Sequence, residues 1–422
     1  MNFAGKTLAL AITGSIAAYK ACDLIREAYR LGADRVLCIM SQSATQFVAP
    51  LTMQSLSMQP VYTDDLAIDH HSGVPIHIWL AQQADALVVF PATSNFVAKF
   101  SHGIADDLLT STAISFTGKP IIIAPAMNTR MWDNPLTQKN LGAVKALSNV
   151  AIIEPSSGLL ACGETGDGHL ASQWLVFKAL YRALHPHRMR FYGIKALVSA
   201  GGTKEPLDAV RVISNRSSGK MGLAMANALD AMGASVCLVT TAAQDAKNSF
   251  EEGDSYPTLV VNTAAEMNEV LHKHWPNSDL LVMAAAVSDC RAKTKTTGKL
   301  KTDELLSSAL YFEKNPDIVA SLAAQKRETQ VVVGFAAETQ DLAINAEEKR
   351  VRKNLDAIVA NLVSGPDIGF DTDFNAVSLF AAGQEPVLLP KAEKWQLAEA
   401  ILIKLDAMGI FKPCLSGAST QP

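Results

Sequence analysis

Short apolar runs alternate along the chain with segments whose apolar residues recur at helical spacing, first in one half and then again in the other. Nearly continuous Val, Ile and Leu in these runs are typical of strands buried on both faces, hence of a parallel sheet between helices. In the first half, residues 15–31 show helical spacing and predict the first helix. The runs that predict strands in this half are 7–13, 35–40, 86–92, 120–126 and 151–155.

The pattern restarts at residue 195, after a segment rich in His and Arg that runs from His185 to Arg190. We expect both halves to be doubly wound, mainly parallel-sheet, Rossmann-like α/β domains in tandem, which bind ligands at the carboxyl ends of their strands. The second half has strand candidates at 195–200, 235–241, 279–287, 330–335 and 356–360, and helix candidates at 220–233, 264–274, 339–353 and 392–407.

The change in composition near residue 190 predicts one domain over 1–190 and a second over 191–412. The remaining tail, 413–422, is rich in Ser, Thr, Gln and Pro and is expected to be disordered. Within the second domain, the hydrophilic stretch 291–303 predicts a mobile loop.

Composition narrows the class of protein further. Apolar residues make up 49% of the 422 and charged residues 18%, which excludes general disorder. A net charge of -4 gives no global basic field for nucleic acid or an anionic membrane, and no apolar run reaches the ~18 residues of a membrane span. The N-terminal apolar stretch reads as a first strand and not as a signal peptide. Six widely spaced cysteines without CxxC spacing favour a reducing cytoplasm over disulfides or a metal site.

Three elements of the first half carry candidate chemistry. His77 lies in an apolar segment, Asn128 in the run Pro125-Ala-Met-Asn-Thr-Arg-Met-Trp132, and Cys162 in the Gly-rich loop from Gly158 to Gly168. Taken singly, each has a structural interpretation: a core histidine, a turn amide and a buried inert thiol. Together they resemble the flavin-dependent cysteine decarboxylases, and the resemblance covers nearly all of the first half.

That resemblance implies FMN as cofactor and a role for each of the three residues. The flavin would oxidise the cysteinyl CH2–SH to a thioaldehyde, which supplies the electron sink that loss of CO2 needs. His77 would act as base near the flavin, Asn128 would hold the substrate carboxyl, and Cys162 would donate the final proton. His169 departs from the arginine usual at its position. The implied FMN contacts follow the strand ends: Gly14, Ser15, Ser41, Ala92, Thr93, Ser94 and Asn95.

The second half carries its own polar strand-end motifs. Gly201-Gly202-Thr203 follows the first strand, and the run from Arg211 to Gly222 contains Ser217-Ser218-Gly219-Lys220. Alone, this last tetrapeptide is most simply a helix cap, and the Walker pattern is absent. The complete set of motifs resembles the phosphopantothenate–cysteine ligases. Further members of the set are 284–289, 299–301, 315–319, 333–339 and the helix with Lys349 and Lys353.

The ligase resemblance implies that CTP and Mg²⁺ convert the 4'-phosphopantothenate carboxylate to an acyl-cytidylate, which the amine of cysteine then attacks. Asn215 would contact the acyl intermediate, and Lys299, Lys349 and Lys353 would offset phosphate charge. The base and sugar would be read by Asp289 and the backbone of Met283, Ala284 and Ala285. The other implied nucleotide contacts are Pro316, Asp317, Ile318, Val319 and Phe335. Mg²⁺ is expected to bind mainly through the nucleotide phosphates, with no protein ligand identified.

Two departures from the ligase pattern, Cys290 and Thr302, leave CTP versus ATP open. The two halves together resemble a fusion of enzymes for consecutive steps of coenzyme A biosynthesis. Such proteins assemble as homo-oligomers, decarboxylase trimers linked by ligase dimers. The alternatives are a flavin-dependent decarboxylase of another cysteinyl substrate and a non-enzymatic flavoprotein regulatory module. The intact second half disfavours the former, and retention of His77, Asn128 and Cys162 disfavours the latter.

Overall fold

The computed structural model describes most of the chain as two compact units, Met1–Pro186 and His187–Pro422. The described residues are 1–63, 73–159, 165–185, 189–242, 256–294, 298–299, 301, 311–338, 340–362 and 372–415. Two of the residues named above, Cys162 and Thr302, lie outside these ranges, as does the end of the 333–339 motif.

The first unit alternates strands and helices along the chain, as the apolar runs predicted. Its strands are β1 Thr7–Ile12, β2 Arg35–Met40, β3 Val61–Tyr62, β4 Ala86–Ala92, β5 Ile121–Pro125, β6 Val150–Ile152, β7 Ser156–Leu159 and β8 Thr165–His169. Its helices are α1 Ala21–Arg30, α2 Pro50–Ser57, α3 Ile76–Gln83, α4 Ser94–Ser101, α5 Leu108–Ser115, α6 Thr129–Trp132, α7 Pro135–Lys145 and α8 Gln173–Leu184. Two 3-10 helices, Ile16–Lys20 and Ala44–Gln46, precede α1 and α2.

Six of these strands form one parallel sheet in the order β3-β2-β1-β4-β5-β6. Alternate residues of β1 face opposite sides, and both sets are buried: Ala9 and Ala11 pack with α3, α4, α5 and α7, whereas Leu8 and Leu10 face the other side. Burial on both faces explains why the strand runs are almost wholly apolar. The strand order reverses between β1 and β4, and doubly wound sheets bind ligands at such a reversal.

The second unit repeats the architecture with a larger sheet. Its strands are β9 Lys195–Ala200, β10 Lys204–Pro206, β11 Val212–Ser214, β12 Ser235–Thr240, β13 Thr258–Val260, β14 Leu280–Met283, β15 Cys290–Ala292, β16 Phe312–Lys314, β17 Val331–Glu338, β18 Ala357–Leu362, β19 Phe374–Ala381 and β20 Val387–Glu393. Its helices are α9 Lys220–Ala231, α10 Ala264–His274, α11 Ile318–Ala324, α12 Leu342–Arg352, α13 Lys394–Ala407 and α14 Lys412–Leu415, with a 3-10 turn at Trp275–Asn277.

The main sheet of this unit has the order β13-β12-β9-β14-β17-β18-β19-β20. Its first six strands pair in parallel, and β19 and β20 continue the sheet in antiparallel fashion. Helices α10, α11 and α12 contribute to a buried apolar cluster on one face, and α9 and α13 pack together on the other. The order reverses between β9 and β14, so the expected ligand position is again a pair of neighbouring strand ends.

The predicted α/β class and the parallel sheets are confirmed, and several predicted bounds are wrong. The strand predicted over 279–287 ends at Met283, because the chain then turns away and only Ala286 bridges to Gly202. The helix predicted from residue 392 begins at Lys394, since 392 and 393 still belong to β20. The helix predicted over 339–353 is Leu342–Arg352.

Two predicted irregular segments are partly regular. The loop predicted over 291–303 begins inside β15, which pairs with β16. Disorder from residue 413 is wrong for 413–415, which form the end of α14 with Cys414 buried. Residues 416–422 lie outside the described part of the chain.

Candidate functional sites

The first site forms where β1, β2 and β4 end side by side in the first unit. Thr13 links two of these ends, because its hydroxyl donates to the Pro91 carbonyl at 2.7 Å and accepts from the Thr93 N–H at 3.0 Å. The loop after β2 joins them, since the Ser41 N–H donates to the Ile12 carbonyl at 3.0 Å.

Glycine is required at the centre of this arrangement. A Cβ on Gly14 would lie 2.4 Å from Cβ of Ser43, so only a residue without a side chain lets the loops after β1 and β2 approach this closely. The residues predicted to contact FMN therefore belong to three neighbouring strand ends. They are Gly14 and Ser15 after β1, Ser41 after β2, and Ala92, Thr93, Ser94 and Asn95 where β4 passes into α4.

His77 lies in the first turn of α3 and is half-buried. Its Nδ1 is buried and has no hydrogen-bond partner among the residues that the structure describes. Lys119 holds the opposite end of the same helix, because its ammonium donates to the carbonyls of Ala81, Gln82 and Ala84 at 2.7–3.0 Å. A cation at a helix C-terminus satisfies the last carbonyls and fixes that end.

Asn128 caps the short helix α6, with its Oδ1 accepting the Arg130 N–H at 2.9 Å. The segment around it packs backbone to backbone on β8, since the Met127 N–H donates to the Gly168 carbonyl at 3.1 Å. A Cβ on Gly168 would lie 2.2 Å from the Met127 carbonyl oxygen, and one on Gly166 would lie 2.6 Å from Oγ1 of Thr129. Glycines at alternate positions of β8 thus let α6 lie on the strand.

The hairpin of β7 and β8 frames the residues 160–164, which include Cys162. His169, the residue that replaces the expected arginine, ends β8. Its Nδ1 lies 3.3 Å from Oγ of Ser156, at the start of β7, so it ties the two ends of the hairpin together. Asn128 and the hairpin are therefore adjacent, and Cys162 itself lies outside the described residues.

The second site is a cavity of about 580 Å³ at the strand ends of the second unit. It is lined by almost all of the residues predicted to bind the nucleotide or the acyl intermediate: Asn215, Met283, Ala284, Ala285, Asp289, Pro316, Asp317, Ile318, Val319, Phe335, Lys349 and Lys353. Lys299 is exposed and is not among the described residues that line it.

Asn215 ties one wall of the cavity to the β14 strand end. Its Nδ2 donates to the Val287 carbonyl at 3.1 Å. A Cβ on Gly202 would lie only 2.6 Å from the backbone carbonyl oxygen of Asn215, so the two segments pack closely. The loop after β14 is further held by Thr203, whose hydroxyl accepts the Ser288 N–H at 2.9 Å. The Gly201–Thr203 motif and the run that contains Asn215 therefore both contact the loop after β14.

An ion pair fixes one end of the cavity. Asp317 caps α11 by accepting the Ala320 N–H, and its carboxylate lies 2.9 Å from the Lys353 ammonium. Burial raises the pKa of Asp317, but the hydrogen bond and charge of Lys353 outweigh burial and hold this pKa below its ordinary value. Asp317 is therefore ionised at neutral pH and holds Lys353 in place.

Lys349 lies one helical turn before Lys353 and is half-buried. Burial, followed by the charge of Lys353, holds the pKa of Lys349 below that of an ordinary lysine. The carboxylates of Glu338, Asp289 and Asp317 oppose this shift without reversing it. Lys349 is thus a cation without sufficient compensating charge, and an incoming anion would stabilise its protonated form.

Several cavity residues were not predicted from the sequence: Arg216, Lys220, Lys314, Asn361, Asn375 and Lys394. Arg216 and Lys220 belong to the recognised run from Arg211 to Gly222, although no role was predicted for either. The Lys220 ammonium lies 2.7 Å from the Asp373 carboxylate. Asn361, Asn375 and Lys394 come from β18, β19 and α13, and no local motif marks them. Basic side chains outnumber Asp289 and Asp317 in the lining, so the cavity favours a polyanion.

No group of three or more His, Cys, Asp or Glu in the described part of the chain could hold a metal ion. None of the described helices is long and apolar enough to cross a membrane.

Two family models match the chain, one on each half. Residues 2–185 match the family described as Flavoprotein. Residues 191–408 match the DNA/pantothenate metabolism flavoprotein C-terminal domain. Together the two matches account for nearly the whole chain.

Curated relatives match over the same length. The coenzyme A biosynthesis bifunctional protein CoaBC of Bacillus subtilis (strain 168) is 37% identical over 405 residues, 96% of this chain and 97% of that protein. Its namesake in Escherichia coli (strain K12) is 38% identical over 405 residues, 95% of this chain and 97% of that protein. Among solved structures, the C-terminal domain of a protein with this name aligns at 31% identity and a TM-score of 0.41, over 52% of this chain and 97% of that chain.

Proposed function

The chain belongs to the family of bifunctional coenzyme A biosynthesis proteins, and on that premise we propose how its residues carry out the two reactions. It is an enzyme with phosphopantothenate–cysteine ligase and phosphopantothenoylcysteine decarboxylase activity. The observation that carries this conclusion is similarity to bifunctional relatives along almost the entire chain. In our proposal residues 1–190 form the decarboxylase domain and residues 191–412 the ligase domain.

The decarboxylase site is proposed to hold FMN at the ends of β1, β2 and β4. The close approach of loops at Gly14 and the strand-end hydroxyls of Ser15, Ser41 and Thr93 fit a phosphate-bearing planar cofactor. Bound FMN supplies two-electron redox chemistry at the cysteinyl CH2–SH group, which makes loss of CO2 possible. The protein groups position the substrate and move its protons.

Each of the three decarboxylase residues has a distinct proposed task. His77 accepts a proton through its ring, whose Nδ1 has no hydrogen-bond partner among the described residues. Asn128 holds the substrate carboxylate beside the β7–β8 hairpin. Cys162 donates the last proton to the product and must remain a thiol to do so.

The ligase site is proposed to hold CTP in the 580 Å³ cavity, with Mg²⁺ carried on its phosphates. Lys349 and Lys353 offset charge on the phosphates as pyrophosphate leaves, and Lys299 adds a third cation from its exposed loop. Asp289 and the backbone of Met283–Ala285 read the base and sugar, and Phe335 packs beside them. Asn215 contacts the acyl-cytidylate that cysteine attacks. The remaining nucleotide contacts come from Pro316, Asp317, Ile318 and Val319.

The product of the ligase domain is the substrate of the decarboxylase domain, so one chain converts 4'-phosphopantothenate, cysteine and CTP to 4'-phosphopantetheine. We further propose a homo-oligomer of decarboxylase trimers linked by ligase dimers, without nucleic-acid or membrane partners. Its place is the reducing cytoplasm, where the thiols of its substrates and its own free cysteines persist.

The test of the function is reconstitution of both steps with the purified full-length protein. Incubation with 4'-phosphopantothenate, cysteine, CTP, Mg²⁺ and FMN is expected to give 4'-phosphopantetheine, CMP and pyrophosphate, identified by mass spectrometry. Omission of cysteine is expected to stop the sequence before any new thiol forms. Recovery of unreacted 4'-phosphopantothenate from the complete mixture would contradict the ligase assignment.

Replacing Cys162 with Ser tests the proton-donor role. A hydroxyl is a much weaker acid than a thiol, so CO2 release should continue while the final protonation stalls. The expected product is two hydrogen atoms lighter than 4'-phosphopantetheine, visible by mass, with the bound flavin reduced in its absorption spectrum. A normal yield of 4'-phosphopantetheine from this variant would show that another group supplies the proton.

A further inference from the structure

A buried acceptor in the wall of the ligase cavity has no partner in the described part of the protein. Asn315 lines the cavity and is 4% exposed. Its Nδ2 donates to the Ser288 carbonyl at 2.9 Å, and its backbone N–H donates to the Asp289 carbonyl at 2.9 Å. Its Oδ1 is buried and accepts no hydrogen bond from any described residue.

The orientation of this amide is fixed by its neighbour. The Ser288 carbonyl oxygen can only accept a hydrogen bond, so the amide nitrogen of Asn315 must face it. A flipped amide would place two oxygen atoms 2.9 Å apart. The Ser288 carbonyl is itself held in place, because the Ser288 N–H is bound to Thr203. The side-chain oxygen of Asn315 is therefore a fixed acceptor that pH does not convert to a donor.

We propose that Asn315 selects the nucleotide by its base, accepting a hydrogen bond from an exocyclic amino group and rejecting a keto oxygen. The inference rests on the proposed function, since it assumes a nucleoside triphosphate in this cavity. Asn315 holds the Asp289 loop through its backbone N–H and directly precedes Pro316 and Asp317, so it lies among the residues assigned to the nucleotide.

The selection has a direct physical basis. Cytosine presents an amino group where uracil presents a carbonyl oxygen, and adenine differs from guanine in the same way. An amino N–H would satisfy the buried acceptor of Asn315. A keto oxygen would leave two acceptors facing one another without a proton between them, and sites built around such a hydrogen bond discriminate strongly.

The test measures pyrophosphate release by the full-length enzyme with 4'-phosphopantothenate, Mg²⁺ and one nucleotide at a time. Wild type is expected to prefer CTP to UTP by at least ~100-fold in kcat/KM, with ATP preferred to GTP. Asn315→Ala is expected to lower the value for CTP while leaving that for UTP nearly unchanged, so that the preference falls below ~10-fold. Thermal unfolding of each variant establishes that it is folded.

Asn268→Ala is the matched control. Oδ1 of Asn268 is also buried without a partner among the described residues, but it lies on α10 and not among the residues lining the cavity. The Asn268→Ala variant should prefer CTP to UTP as strongly as wild type does. If Asn315→Ala lowers CTP and UTP turnover in parallel, the side chain only supports the loop and the proposal is wrong. Absence of pyrophosphate with every nucleotide in wild type would instead contradict the ligase function itself.

Discussion

Gly168→Ala is expected to reduce 4'-phosphopantetheine formation at least ~100-fold, because misplacing catalytic groups by about 1 Å already costs this much. The new Cβ would lie 2.2 Å from the Met127 carbonyl oxygen, and the backbone φ of +131° is one that only glycine adopts readily. Relief of the clash requires the β7–β8 hairpin to move away from Asn128. The Asn128 segment and the hairpin are in contact through the Met127 N–H and the Gly168 carbonyl, so this movement displaces the proposed carboxylate-binding group from the hairpin.

The same variant should leave the other activities intact. FMN uptake, followed by flavin absorption, is proposed to depend on the ends of β1, β2 and β4 and should be close to wild type. Ligation of cysteine, measured as pyrophosphate release, is proposed for the second domain and should be unchanged. The variant should therefore accumulate 4'-phospho-N-pantothenoylcysteine, detectable by mass.

Gly118→Ala separates backbone strain from the clash. Gly118 also has a positive φ, +71°, but a Cβ there would meet nothing within 4 Å. It should cost stability of the order of 1 kcal/mol with little loss of decarboxylation. Equal activity losses in the two variants would mean that packing of the hairpin on α6 does not control the reaction.

Both bounds of several parallel strands could be predicted from the sequence, because burial on both faces of the sheet requires a continuous apolar run. Arg35–Met40, Ala86–Ala92 and Lys195–Ala200 are examples. The two-stranded pairs β10–β11 and β15–β16 could not be predicted, because three-residue strands with exposed, mixed side chains leave no such run. β17 extends beyond its predicted end because pairing with β18 continues to Glu338.

Some residues of the candidate sites could likewise be predicted from the sequence, and others could not. Residues at the ends of parallel strands could be recognised because loop motifs are local, as with Asp289 and Phe335, and the fold then brings them to one cavity. Asn361 and Asn375 could not, since they come from β18 and β19, where no local motif marks them, and only the sheet pairing brings them to the cavity. The sequence motif around Asn315 also does not show which side-chain atom of Asn315 lacks a hydrogen-bond partner. The structure shows it, because the Ser288 carbonyl accepts from Nδ2 and so fixes the orientation of the amide.

Lys349→Met is expected to slow pyrophosphate release by roughly 10²–10³-fold, the usual cost of removing one charge-stabilising contact from a transition state. Lys349 is half-buried and lines the cavity, whereas the neighbouring Lys353 is partly neutralised by Asp317. Methionine has a similar shape and needs no compensating charge, so the variant should be at least as stable as wild type in thermal unfolding. Lys404→Met, an exposed substitution on α13, should leave the rate unchanged.

The pH dependence of nucleotide binding tests the same residue, because burial and the charge of Lys353 hold the pKa of Lys349 below that of an ordinary lysine. Since the protonated form is disfavoured in the free protein, Lys349 loses its charge as pH rises through this lowered pKa. Nucleotide phosphates favour the protonated form, so binding takes up a proton and KM for CTP rises on the alkaline side. Lys349→Arg keeps its charge throughout and should remove that rise while restoring much of the rate lost in Lys349→Met. An alkaline rise in KM that persists unchanged in both variants would assign the titration to another group and remove Lys349 from the phosphate site.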